Sequence, residues 1–214
     1  MGLLRALLVS VLVASAASAT PRADHVVVAL GDSLTAGLGV GVEEAYPALL
    51  EARLRREGFD YRVVNAGVSG DTSAGGLRRL DWALKLKPQV LIVALGANDG
   101  LRGQPPAALR ANLTQIVERA RGAGARVLLA GMRVPPNYGA DYAQEFEKVF
   151  HDLARETKAP LIPFLLEGVA GEVRLNLADG IHPNAEGQRR VAQHVWPHLR
   201  RLLAKSAASR GAVP

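Results

Sequence analysis

Ser33 and His182 are the residues of this chain best placed, by type and by neighbours, to work on one another. Ser33 closes the stretch Val26-Val27-Val28-Ala29-Leu30-Gly31-Asp32-Ser33, in which a β-branched apolar run meets a glycine that permits a sharp turn. A serine hydroxyl is a poor nucleophile until a base removes its proton, so the chemistry needs a partner elsewhere. Taken alone, this stretch favours reading Ser33 as a turn residue or a helix N-cap, positions that favour both Ser and Asp. Of the five histidines, His25 precedes the first strand, and His151, His194 and His198 fall within helical patterns where packing is the default. His182 lies instead in a loop, Leu177-Ala178-Asp179-Gly180-Ile181-His182-Pro183-Asn184, just before the last helix. Asp179 stands three residues upstream and would reach the imidazole if the loop turns. Serine, imidazole and carboxylate in that order of contact make an activated nucleophile. The Asp-x-x-His-Pro pattern by itself is also only a turn and a helix start.

The elements that must bring these residues together alternate along the chain. Strands are predicted at Val26 to Leu30, Tyr61 to Asn65, Gln89 to Leu95 and Arg126 to Ala130. A fifth, from Leu161 to Leu165, is interrupted by Pro163 and therefore belongs at an edge. Helices are predicted at Tyr46 to Glu57, from a cap at Asp71 or Thr72 through Leu84, and from Pro105-Pro106 onward with Leu109, Leu113, Ile116 and Ala120 on one face. Another carries Tyr142, Phe146, Val149, Phe150 and Leu153 at helical spacing, and the last runs from about Ala185 to Leu203 with Pro197 expected to kink or split it. Such alternation predicts an α/β fold: three layers, α/β/α, around a parallel, flavodoxin-like sheet of five strands. Ligands of these sheets bind beyond the carboxyl ends of the strands, at the switch point of the strand order. Ser33, Gly70 and Asn98 all follow strand ends, which places three turns at one rim. The run Gly37-Leu38-Gly39-Val40-Gly41 is not a dinucleotide fingerprint, because Val42 replaces the last glycine and Glu43-Glu44 would repel a pyrophosphate.

Composition narrows the classes. A chain of 214 residues, 49% hydrophobic and 21% charged, suits one domain with a sizeable core. It has no cysteine, which removes disulfides, thiolate metal sites and cysteine nucleophiles. Histidines and carboxylates show no metal-ligand spacing, so no metal and no cofactor are expected. The formal charge is +6, but the arginines are scattered in pairs (Arg55-Arg56, Arg78-Arg79, Arg189-Arg190, Arg200-Arg201) on predicted helices without interleaved aromatics. That pattern reads as a solvated basic face rather than a nucleic-acid surface, with at most weak attraction to anionic membranes. Residues 1–19 combine Arg5, a short apolar run from Leu7 to Ala14, and a small-residue Ala17-Ser18-Ala19 site. They read as a secretory signal, too short to span a membrane, which implies a periplasmic or extracellular protein. Residues 20–205 form the domain, and 206–214 are a frayed tail.

Four blocks in order, Gly-Asp-Ser-Leu at 31–34, the segment around Gly70, Gly-Ala-Asn-Asp at 96–99 and Asp-Gly-Ile-His-Pro at 179–183, resemble those of the GDSL or SGNH hydrolases. The resemblance covers nearly the whole chain after residue 19. It is strongest to the secreted bacterial thioesterase I, arylesterase and lysophospholipase group, including Gly96 to Gly103 and Met132 to Gly139. It implies the SGNH hydrolase fold, with Ser33 as nucleophile, His182 as general base and then acid, and Asp179 as its orienter. It further implies an oxyanion hole from the backbone amides of Ser33 and Gly70 and the side-chain amide of Asn98. The implied activity is metal-free hydrolysis of small acyl esters and thioesters through an acyl-enzyme, by a monomer. Residue types agree with these roles: Gly70 lets a carbonyl approach the main chain, and Asn98 offers donors that never deprotonate. The alternatives are a carbohydrate O-deacetylase of the same family and a non-catalytic ligand-binding module. The elbow of ordinary α/β-hydrolases is absent, since Thr35 stands where that motif has glycine.

The signal-peptide reading is tested by mass spectrometry of exported protein, which should begin at Thr20. Exported material that retains Met1 would overturn it.

Overall fold

The computed structural model describes residues 25–203. The segment 1–19, read as a signal, and the tail 206–214 lie outside them. Strands β1 (His25–Gly31), β2 (Tyr61–Gly67), β3 (Val90–Ala94), β4 (Arg126–Ala130) and β5 (Leu161–Ile162) form one parallel sheet in the order β2-β1-β3-β4-β5. The interior of β1 and all of β3 are buried, as a sheet covered on both faces requires. The eight α-helices among the described residues are α1 (Ser33–Ala36), α2 (Tyr46–Arg56), α3 (Ser73–Arg78), α4 (Leu80–Lys85), α5 (Ala97–Leu101), α6 (Pro106–Gly122), α7 (Ala140–Thr157) and α8 (Ala185–Arg200).

The handedness of crossovers sorts the helices into layers. From β1 the chain moves outward through α2 to β2, then returns past β1 to build β3, β4 and β5 through α6 and α7. Right-handed connections in opposite directions must lie on opposite faces. Accordingly α2 packs with α8, while α6 packs with α7 and α3. The reversal falls between β1 and β3, and register makes it a level platform: Gly31 pairs with Gly67 on one side and with Ala94 on the other. Three chains therefore leave the sheet in the same row.

Several elements differ from the sequence expectation, each for a local reason. The helix expected through Leu84 is broken into α3 and α4 at Arg79, whose φ of −100° and ψ of 6° leave the helical range. Thr72 caps α3, its hydroxyl accepting from the Gly75 amide. Strand β5 is shorter than expected, ending before Pro163, although its edge position holds. Pro197 does not split α8. It lies in the last turn, where its missing N–H frees a single carbonyl, and Val195, Trp196 and Leu199 around it are buried. The turns after Gly31 and Gly96 are the short helices α1 and α5.

Close packing at the platform depends on Gly67. A Cβ there would lie 2.2 Å from the Ala36 backbone nitrogen, so a side chain would push β2 away from α1. Gly67→Ala should destabilise by about 1–3 kcal/mol, as for overpacking elsewhere. Gly122→Ala, in a helix where a Cβ meets nothing within 4 Å, should be neutral or stabilising. Urea titration of both variants checks this; equal stabilities would remove the packing argument.

Candidate active site

Asp32 turns the chain from β1 into α1. Its carboxylate accepts the Leu34 amide at 3.0 Å as the N-cap, so the capping residue is Asp32 and Ser33 takes the first helical position. Ser33 thereby sits beyond the carboxyl end of β1 on a rigid turn. Two further contacts fix α1. Gln188 of α8 accepts the Tyr46 amide at 2.9 Å and donates to the Leu34 carbonyl at 3.2 Å, and Thr35 Oγ1 shares a hydrogen bond with the Tyr46 hydroxyl at 3.0 Å.

The loop before α8 is framed by two asparagines. Asn176 Nδ2 donates to the carbonyls of Val169 and Glu172 at 2.7 and 2.9 Å. Asn184 Nδ2 donates to the Arg174 carbonyl at 2.9 Å, while its Oδ1 caps α8 by accepting the amides of Glu186 and Gly187. Within that frame the Leu177 amide donates to the His182 carbonyl at 2.7 Å, closing the turn that the sequence left open. Asp179 now faces the imidazole. Its Oδ1 accepts the backbone amides of Ile181 and His182, and its Oδ2 lies 2.7 Å from His182 Nδ1. The other ring nitrogen, Nε2, lies 2.9 Å from Ser33 Oγ. With Asp179 charged, these partners assign the proton to Nδ1 and leave Nε2 to accept from the serine hydroxyl.

Two carboxyls near the imidazole have opposite environments. The backbone amides of His182 and Ile181, followed by the imidazole itself, hold the exposed Asp179 carboxyl down at about 2. Burial pushes Asp32 up to about 6, against the Leu34 amide and the nearby His182. Asp32 is 1% exposed, and its Oδ2 has no hydrogen-bond partner among the described residues. Only Asp179 is therefore a committed anion across the ordinary pH range.

Asn98 lies in α5, with its Nδ2 donating to the Asp71 carbonyl at 2.9 Å and one amide hydrogen left over for a ligand. Its neighbour Asp99, fully buried, anchors α5 by accepting the Ser73 amide at 2.8 Å and the Ser73 hydroxyl at 2.5 Å. Ser33, Asn98 and His182 line one cavity of about 500 Å³, whose remaining wall includes Leu101, Met132, Val134, Phe164 and Leu166. Gly70 stands on the exposed loop after β2 at φ 79°, its carbonyl accepting from Arg102 at 2.9 Å. It is next to Asp71 but is not part of that cavity wall. The described residues hold no group of three or more metal-ligating side chains. None of their helices is long and apolar enough to cross a membrane.

Sequence reasoning missed Asn176, Asn184, Gln188 and Arg79. Asn184 carried a signal, an asparagine immediately before a predicted helix. Arg79 carries none: in sequence it belongs to one of the solvated arginine pairs, yet its side chain turns inward to Asp71.

Comparison with known proteins identifies the family and the fold. The model of the GDSL-like Lipase/Acylhydrolase family matches residues 29–190. Esterase TesA of Pseudomonas aeruginosa is 47% identical over 94% of this chain and 100% of its own length. Thioesterase 1/protease 1/lysophospholipase L1 of Escherichia coli (strain K12) is 41% identical over 81% of this chain and 83% of its own. The crystal structure of TesA superposes with a TM-score of 0.81, at 48% identity over 84% of this chain and all of that one. The chain is a hydrolase on the three-layer parallel-sheet fold of the SGNH proteins. It belongs to the GDSL-like lipase/acylhydrolase family.

Asp32 generates a pH prediction. Its folded pKa of about 6 exceeds the ordinary 3.8, so the folded state holds the proton more tightly than the unfolded state. Its contribution to stability is then fully present below about pH 4 and falls as pH rises through 6. Asp32→Asn keeps the acceptor for Leu34 and cannot ionise. Its stability relative to wild type should increase between pH 4 and pH 7.5 by up to about 3 kcal/mol. Urea unfolding at both pH values measures the gap; a gap that does not change with pH would refute the buried ionisation.

Proposed function

We propose that this protein cleaves acyl esters and thioesters through a covalent acyl-enzyme at Ser33, with His182 and Asp179 completing the triad. The contact chain Ser33 Oγ, His182 Nε2, His182 Nδ1, Asp179 Oδ2, with steps of 2.9 and 2.7 Å, carries this reading. The apolar wall of the cavity beside it suits an acyl chain and offers little to an acetylated sugar.

In the first half-reaction Ser33 Oγ attacks the acyl carbon while its proton passes to His182 Nε2. The carbonyl electrons move to oxygen, giving a tetrahedral oxyanion. The backbone amides of Ser33 and Gly70 and the free Asn98 amide hydrogen are its donors in this proposal. Collapse expels the alcohol or thiol, which takes the proton back from His182. In the second half-reaction His182 takes a proton from water, the resulting hydroxide attacks the ester carbon, and Ser33 leaves with that proton. Asp179, charged throughout, holds the imidazole in the accepting tautomer and stabilises the imidazolium. Export to the periplasm or medium, action as a monomer, and no more than weak membrane association are part of the same proposal. Relatives bearing esterase, thioesterase and lysophospholipase names support the ester and thioester range.

Ser33→Ala should abolish fluorophosphonate labelling and nearly all hydrolysis of a p-nitrophenyl ester, with the circular dichroism unchanged. Asn98→Ala should lower kcat by about 10²–10³-fold, the usual effect of losing one oxyanion donor, with little change in KM. Labelling that persists without Ser33 would identify a different nucleophile. A folded Asn98→Ala protein keeping more than about a third of wild-type kcat would remove Asn98 from the hole.

A further inference from the structure

The break between α3 and α4 places one guanidinium where three parts of the site meet. Arg79 Nε donates to Asp71 Oδ2 at 2.6 Å, Nη1 to the Ala66 carbonyl at 2.6 Å, and Nη2 to the Gly31 carbonyl at 2.7 Å. These acceptors belong to the end of β1, the end of β2 and the loop that follows β2. Two of them lie within two residues of a proposed oxyanion donor. Gly31 precedes Ser33 by two residues, and Asp71 follows Gly70 directly. The Asp71 carbonyl in turn receives Asn98 Nδ2 at 2.9 Å. Its carboxylate and the Arg79 side chain are only 12% and 21% exposed, so water competes weakly for these bonds.

We infer that Arg79 is a positioning residue for the oxyanion hole, setting the relative placement of all three donors without touching substrate. The inference rests on the hydrolase reading of Ser33. The Gly31 carbonyl already accepts the Val68 amide at 3.0 Å, so Arg79 takes up its second lone pair and ties the end of β1 to the end of β2 through Ala66. A planar fork of donors engages two carbonyls and a carboxylate at once, in fixed directions. A lysine ammonium keeps the charge but not the fork. A displaced donor weakens the transition state far more than the bound ester, because the oxyanion exists only after attack. Loss of the fork should therefore appear in kcat rather than KM.

The test uses the full chain and the variants Arg79→Lys and Asp71→Ala, the second removing only the carboxylate that Nε grips. Fluorophosphonate stoichiometry at completion counts the competent sites, and kcat is expressed per such site, so partial unfolding does not enter. A boronic acid supplies the tetrahedral probe: boron accepts Ser33 Oγ, the hydroxyl proton passes to His182, and a boronate oxygen occupies the oxyanion position. The expected result is a kcat per site lower by about 10–100-fold for Arg79→Lys and by at least several-fold for Asp71→Ala. KM should stay within about threefold, and boronate affinity should weaken in step with kcat. Should Arg79→Lys fail to fold, Asp71→Ala alone decides by the same measures. A kcat per site within about threefold of wild type would overturn the inference, as would a lowered kcat with unchanged boronate affinity. Wild-type boronate binding that survives Ser33→Ala would instead overturn the hydrolase reading itself, and this inference with it.

Discussion

The hydrogen bond between Ser33 Oγ and His182 Nε2 joins residues 149 positions apart, and most of the architecture serves to hold its two ends at 2.9 Å. One end is set by β1, buried in the middle of the sheet, and by an Asp32 cap that stops the backbone from continuing straight. The other is set by a loop with no regular structure of its own, held by Asn176 and Asn184 against the start of α8. Gln188 then connects the two ends through a single side chain, bonding α8 to both α1 and α2. An error of an ångström at either end would open the bond, since hydrogen bonds weaken quickly with distance and angle. The rigidity of a close-packed α/β core is thus a requirement of the chemistry as well as of stability.

Electrostatics around that bond are uneven in a useful way. Asp179 is exposed but receives two backbone amides and an imidazole N–H, so hydrogen bonding rather than burial decides its charge. Asp32 is buried, and desolvation outweighs the backbone amides and the imidazole that favour its charge. Two equally ionised carboxylates would both draw a proton onto the imidazole. With their affinities separated, Asp179 orients the ring while Asp32 serves chiefly as a cap. The same residue type has two roles because one carboxyl is buried and the other exposed, not because the residues differ.

Side chains add hydrogen bonds to the polar backbone at the rim, where regular strand pairing ends. Arg79 takes two strand-end carbonyls, Asn98 takes the Asp71 carbonyl, and Arg102 takes the Gly70 carbonyl. Irregular loops at a strand terminus need such partners, because an unpaired carbonyl shielded from water is costly. The rim bonded in this way is also the rim that presents Ser33, Asn98 and His182 to one cavity. The contacts that stabilise these loops therefore also fix where Ser33, Asn98 and His182 stand around that cavity.

Alternating strands and helices, the edge position of the fifth strand, and the pairing of Ser33 with His182 and Asp179 were all legible in the chain. Apolar runs, glycine turns and helical spacing are signals read over a few neighbouring residues. The four blocks carried the family because they keep their order and spacing. Other features became visible only in three dimensions. Ser33 looked like a possible cap, but Asp32 holds that position. Arg79 looked like half of a solvated pair, but it breaks a helix and turns inward. The level ends at Gly31, Gly67 and Ala94, and the raised pKa of Asp32, have no local signature at all. Strand register, the direction of a long side chain and the loss of water around a carboxyl depend on residues far apart in the chain. Local pattern therefore determined which elements and reactive groups this protein has, while tertiary packing decided which donors reach which acceptors.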